Sequence, residues 1–81
     1  MRIEVLGAGC ARCERVAANA REAVRDLAID DIEVVEVHDL NEITKYGLTA
    51  TPALAIDGTI VVAGRVPEKA ELVSLITSAL V

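Results

Sequence analysis

The spacing of apolar positions along this chain switches between the period of a strand and that of a helix. Arg2 to Leu6 alternates in part and predicts a strand, ended by Gly7 and Gly9. From about Cys10 to Ala28 the spacing lengthens. Cys13, Val16, Ala20, Val24 and Leu27 recur three or four residues apart, as one core-facing helical stripe should. Arg12, Arg15, Asn19, Glu22 and Asp26 occupy the opposite face. Ile32 to Val37 predicts a second strand. Asp39 opens a short helix, Glu42 stands three residues later as in a capping box, and Gly47 is placed to end it. Ala53 to Ile56 and Thr59 to Ala63 predict two strands joined by Asp57-Gly58, a strong two-residue hairpin signal. Pro67 is expected at the first position of a last helix, where a missing N–H costs nothing, with Leu72, Leu75, Ile76, Ala79 and Leu80 as its buried face.

The order is therefore β-α-β-α-β-β-α. The first helix links two parallel strands by a right-handed crossover, and the hairpin adds two antiparallel ones. The expected fold is α/β: a mixed four-stranded sheet with helices on both faces, in a single domain spanning residues 1–81.

Composition narrows the function. Apolar residues make up 53% of the chain, but with one Tyr and no Phe or Trp the core must be built from Ala, Val, Leu and Ile, and no aromatic platform exists for stacking on bases. A net charge of −5 argues against nonspecific attraction to nucleic acid or an anionic membrane. No apolar run approaches the roughly 20 residues a bilayer span needs, and the opening MRIEVLG does not have the form of a signal peptide. The expectation is a cytoplasmic protein, monomeric, without nucleic-acid or membrane partners.

In that compartment a permanent structural disulfide is rare, so the two cysteines of GAGCARCERV point to redox or metal chemistry. Their helical register makes them unequal. Cys13 belongs to the core stripe; Cys10 stands three residues earlier, at the N-terminal end of the helix. There the unpaired N–H groups and the dipole favour an anion, and Arg12 and Arg15 add positive charge. A CxxC thiol so placed commonly has its pKa lowered from about 8.5 to somewhere between about 3.5 and 7.5. This suits an attacking thiolate at Cys10 and a resolving thiol at Cys13. A zinc site would need four ligands, and only Cys10, Cys13 and the distant His38 are suitable soft or borderline donors. His38 otherwise reads as a surface residue at a strand's end, and Tyr46 as a cover for the sheet. Two thiolates do suffice for Cu(I), and the first 37 residues are equally compatible with a ferredoxin-like copper chaperone. The second half is not, because that fold ends in a strand and this chain ends in a helix.

The stretch TATPALAIDGTIVVAGRVPEKAELVSLI, residues 49 to 76, carries a resemblance. Thr51-Pro52, a strand, a DG turn, a strand, a Gly and a final helix look like the second half of a thioredoxin-fold protein. With GCARC heading the first helix, nearly the whole chain resembles the small thioredoxin-like family often labelled redox-active disulfide proteins. The resemblance implies a thioredoxin-like fold and a thiol–disulfide oxidoreductase that cycles its CxxC. Cys10 would be the nucleophile and Cys13 the resolving thiol, with Gly9 and Arg12 in support. It further implies a cis Thr51–Pro52 bond facing the CxxC, with Thr51 lending backbone hydrogen bonds to a substrate.

Partners would be a disulfide-containing protein and a thioredoxin-reductase-like or glutathione-linked electron donor; no extended basic patch marks a glutathione site. No cofactor or metal is expected. Thioredoxins carry Trp before the first cysteine and Gly-Pro between the two, where this chain has Gly9 and Ala11-Arg12. Their buried acid, six residues before the first cysteine, would fall at Glu4. That residue thus has two readings, proton transfer or an edge or solvent position. The alternative function is a soft-metal or thiophile carrier using both thiolates.

Overall fold

The computed structural model describes every residue except Cys10 and Thr49. Its elements are β1 (Arg2–Leu6), α1 (Ala11–Leu27), β2 (Glu33–Val37), α2 (Leu40–Thr44), β3 (Ala53–Ile56), β4 (Thr59–Ala63) and α3 (Lys69–Leu80). The strands form one sheet in the order β2-β1-β3-β4. β1 runs parallel to β2 and antiparallel to β3, and β3 is antiparallel to β4. The element order and the mixed sheet agree with the sequence pattern.

Strand alternation divides the core between the two faces. Ile3 and Val5 of β1, with Leu54 and Ile56 of β3, pack against Val16, Ala17, Ala20 and Ala23 of α1 and Leu72 and Ile76 of α3. Leu6, Ala53 and Ala55 point the other way, against Ile43 of α2. A register shift between Leu54 and Ala55 lets β4 place both Val61 and Val62 toward the α1–α3 face. Asp57 and Gly58 both have positive φ (48° and 87°), as a tight hairpin turn that follows the strand twist requires.

Four details differ from the sequence reading. The buried stripe of α1 is centred on alanines, with Ala17 and Ala23 inside and Val24 and Leu27 only half-buried. The small side chains let α1 lie close to both the sheet and α3. Pro67 does not start α3: Glu68 is the N-cap, with extended backbone, and the Pro67 carbonyl accepts from Asn19 Nδ2 (3.0 Å) on α1. The helix then overshoots the core, so Leu72 and Ile76 are buried while Ala79 and Leu80 are exposed. In α2 the Asp39 side chain caps Asn41 N as expected, but Glu42 accepts from Lys45 Nζ (3.0 Å) instead of completing the box. Gly47, at φ 68°, follows the end of that helix.

Candidate active site

The parallel pair β1–β2 ends at the same side of the sheet, so the segments leaving the two strands become neighbours. The ladder continues one step past β1, with Gly7 N donating to Val37 O (3.0 Å). The chain then turns through Ala8 and Gly9, the latter at φ 84°, which Gly adopts without strain. Cys10, the expected nucleophile, lies outside the described residues, and α1 begins at the next residue, Ala11.

Cys13 is on the first turn of α1 and only 2% exposed. Its sulfur fills the space where a side chain on Gly7 would start: an added Cβ there would overlap Cys13 Sγ and stand 3.9 Å from Pro52 Cα. Gly7 thus lets a β-strand end, the cysteine sulfur and the segment before β3 converge. Pro52 is buried, and the Thr51–Pro52 peptide is cis. Thr51 itself is exposed.

Behind Pro52 stands Gly64, just past β4. Its N–H donates to the Pro52 carbonyl (2.8 Å), and its own carbonyl accepts from Arg12 Nη2 (3.2 Å). Gly64 has φ 79°, and a Cβ on it would come within 3.1 Å of Ala50 Cβ. Arg12 is therefore more than a source of charge at the head of α1. It ties the helix to the loop that supports Pro52.

Glu4 has a different surrounding from the thiols. It projects on the α2 side of the sheet, where its carboxylate accepts from Tyr46 OH (2.6 Å), whereas Cys13 is on the α1 side. That hydrogen bond, with some burial, raises the Tyr46 phenol above its ordinary range, because the neutral hydroxyl is the form that donates. Glu4, Glu42, Lys45, Tyr46 and Gly58 line a shallow groove that Cys13 does not line.

The sequence pointed to Cys13, Pro52, Arg12 and Gly9, and the structure brings these together at one end of the sheet. It also adds Gly7, Gly64 and His38, whose ring Nδ1 donates to the Gly7 carbonyl (3.0 Å). Gly7 and Gly64 left no usable signal, because their roles depend on chain segments tens of residues away. His38 could have been found from topology, since residues that follow two adjacent parallel strands meet at one edge. Among the described residues, no group of three or more His, Cys, Asp or Glu is placed to hold a metal ion.

Comparison with known proteins agrees with this architecture. The family model described as "Thioredoxin domain" matches residues 1–77. A protein named thioredoxin from Methanothermobacter thermautotrophicus is 42% identical over 77 residues, covering 95% of this chain and 99% of the relative. Another of that name, from Methanocaldococcus jannaschii, is 39% identical over 70 residues, covering 86% and 79% respectively.

Proposed function

The chain belongs to the thioredoxin family, and on that premise we propose that it is a thiol–disulfide oxidoreductase working through Cys10 and Cys13. The observation that carries the proposal is the burial of Cys13 against Gly7, beside the buried Pro52, in a chain whose other cysteine immediately precedes α1. A shielded thiol three residues after its partner suits resolution and not first attack.

The Cys10 thiolate attacks one sulfur of a substrate disulfide, whose other sulfur leaves as a thiolate and takes a proton from water. Cys13, once deprotonated, attacks Cys10 in the mixed disulfide and displaces the second substrate sulfur. Two electrons have passed to the substrate, and the protein is left as the Cys10–Cys13 disulfide. A thioredoxin-reductase-like or glutathione-linked donor returns it to the dithiol. The backbone of Thr51, an exposed residue beside Pro52, is the surface on which an extended substrate segment would lie. The role is that of a cytoplasmic monomer acting on disulfide-containing proteins; among the described residues no helix is long and apolar enough to cross a membrane. The name borne by both relatives favours exchange over the carrier alternative.

A redox titration of the purified protein, with metal analysis of the same sample, tests this. Mass spectrometry should show reversible loss of two hydrogens from the peptide containing Cys10 and Cys13, with a defined midpoint against a glutathione buffer. A pair that resists oxidation, or that co-purifies with stoichiometric copper, would contradict it.

A further inference from the structure

His38 follows the last residue of β2, and its ring folds back over the loop that leads to the first cysteine. Nδ1 is 3.0 Å from the Gly7 carbonyl, and a carbonyl only accepts, so Nδ1 carries a proton. The same ring lies 3.5 to 3.7 Å from where a Cβ on Gly9 would stand. On its far side Nε2 is 3.7 Å from Glu36 Oε1. The other oxygen of Glu36 accepts from Arg21 Nη2 of α1 at 3.1 Å. Both ring nitrogens therefore face acceptors. The neutral ring serves one of them, whereas the imidazolium serves both. Asp39, next in sequence, is turned to the Asn41 amide, and Arg12 to Gly64, so neither is directed at the ring.

We propose that His38 is a positioning residue for the CxxC turn: it holds the Gly7 carbonyl and, when protonated, places a positive charge beside Gly9 that favours the thiolate of Cys10. The role rests on the thiol chemistry proposed above. In it, protonation of His38 and ionisation of the Cys10 thiol are linked, so each must alter the other equally. The chain contains one histidine, so its ring signal can be followed by NMR without assignment.

Two measurements on the reduced full-length protein test this. The first is the rate of Cys10 alkylation by iodoacetamide across about pH 5 to 9, read by mass spectrometry, for wild type, His38→Gln and His38→Ala. Gln retains an amide donor but cannot ionise. At about pH 5.5 both variants should alkylate about two- to threefold more slowly than wild type. Toward the alkaline end of the range the wild-type and Gln profiles should converge. The second is the NMR titration of His38 in dithiol and disulfide forms, whose midpoints should differ by about 0.3 to 0.5 pH unit, higher in the dithiol form once its thiolate is present. Superimposable alkylation profiles for wild type and His38→Gln, or identical titrations in the two redox forms, would overturn the proposal. Neither readout requires a substrate disulfide. A wild-type protein that shows the coupling but reduces nothing would count against the oxidoreductase reading alone.

Discussion

The sulfur of Cys13 occupies the volume in which a side chain on Gly7 would begin. Gly7 is at the end of β1 and Cys13 is in the first turn of α1, so the absence of one Cβ sets how closely the helix docks on the strand. The buried position of the resolving thiol follows from that close approach.

Gly7→Ala should therefore lower stability by about 1 to 3 kcal/mol, the usual range for overpacking a tight site. Because the overlap is with sulfur, removing it should relieve the strain. The double variant Gly7→Ala, Cys13→Ala should be more stable than the sum of the single changes predicts, by at least about 0.5 kcal/mol. Urea unfolding of the four proteins measures this coupling, and strict additivity would show that the sulfur is not what excludes a side chain at residue 7.

On the other face of the sheet, the Tyr46 hydroxyl donates to Glu4, which raises the phenol's pKa from its ordinary 10.0. A group whose folded pKa is raised contributes stability that is complete below its unfolded pKa and is lost as pH rises through the folded one. The contribution should thus fade only in alkaline solution, above the ordinary tyrosine range. With one Tyr and no Trp in the chain, ultraviolet absorbance follows the ionisation directly. Glu4→Gln should move the midpoint back toward the ordinary value. The same change should leave the alkylation rate of the thiols unaltered, since Glu4 is bonded on the face away from Cys13. A large loss of thiol reactivity would restore the proton-transfer role to Glu4.

Much of this was legible beforehand because it is local. The strand and helix periods, the Asp57-Gly58 turn and the Gly47 stop each depend on neighbouring residues, and the structure has them where the pattern put them. Cys10 and Cys13 announce themselves by spacing. The start of α3 was not legible. The rule that favours Pro at the first helical position could not know that Asn19, 48 residues away, takes the Pro67 carbonyl. Nor was the tilt of α1 toward Ala17 and Ala23, since a residue's bulk does not say which side will be approached closely. From the sequence His38 reads as a surface residue at a strand's end. It is exposed, but its ring contact with Gly7 spans 31 positions and exists only because β1 and β2 are adjacent.

The end of α1 offers a test of backbone energetics free of the active site. Ala28 has φ 54°, and its N–H reaches the carbonyls of Val24 and Arg25 (both 3.1 Å). A left-handed conformation costs a residue with a Cβ roughly 1 to 2 kcal/mol, part of which Gly recovers after its larger unfolded-state entropy is counted. Ala28→Gly should stabilise the fold by about 0.5 to 1 kcal/mol, raising the denaturation midpoint without altering thiol reactivity. No gain in the midpoint would mean that the unfolded-state term cancels the relief.

The division of labour between Cys10 and Cys13 is tested most directly by trapping. Cys13→Ser and Cys10→Ser are each expressed, free thiols are blocked with an alkylating agent at lysis, and covalent adducts are compared on a non-reducing gel. Attack by Cys10 on a substrate disulfide still proceeds without Cys13, but nothing then resolves the mixed disulfide. Cys13→Ser should accumulate adducts that dithiothreitol releases, whereas Cys10→Ser should accumulate few, because Cys13 is sealed against Gly7. Adducts through Cys10→Ser alone, or none with either variant and equal loss of Cu(I) affinity in both, would contradict the account.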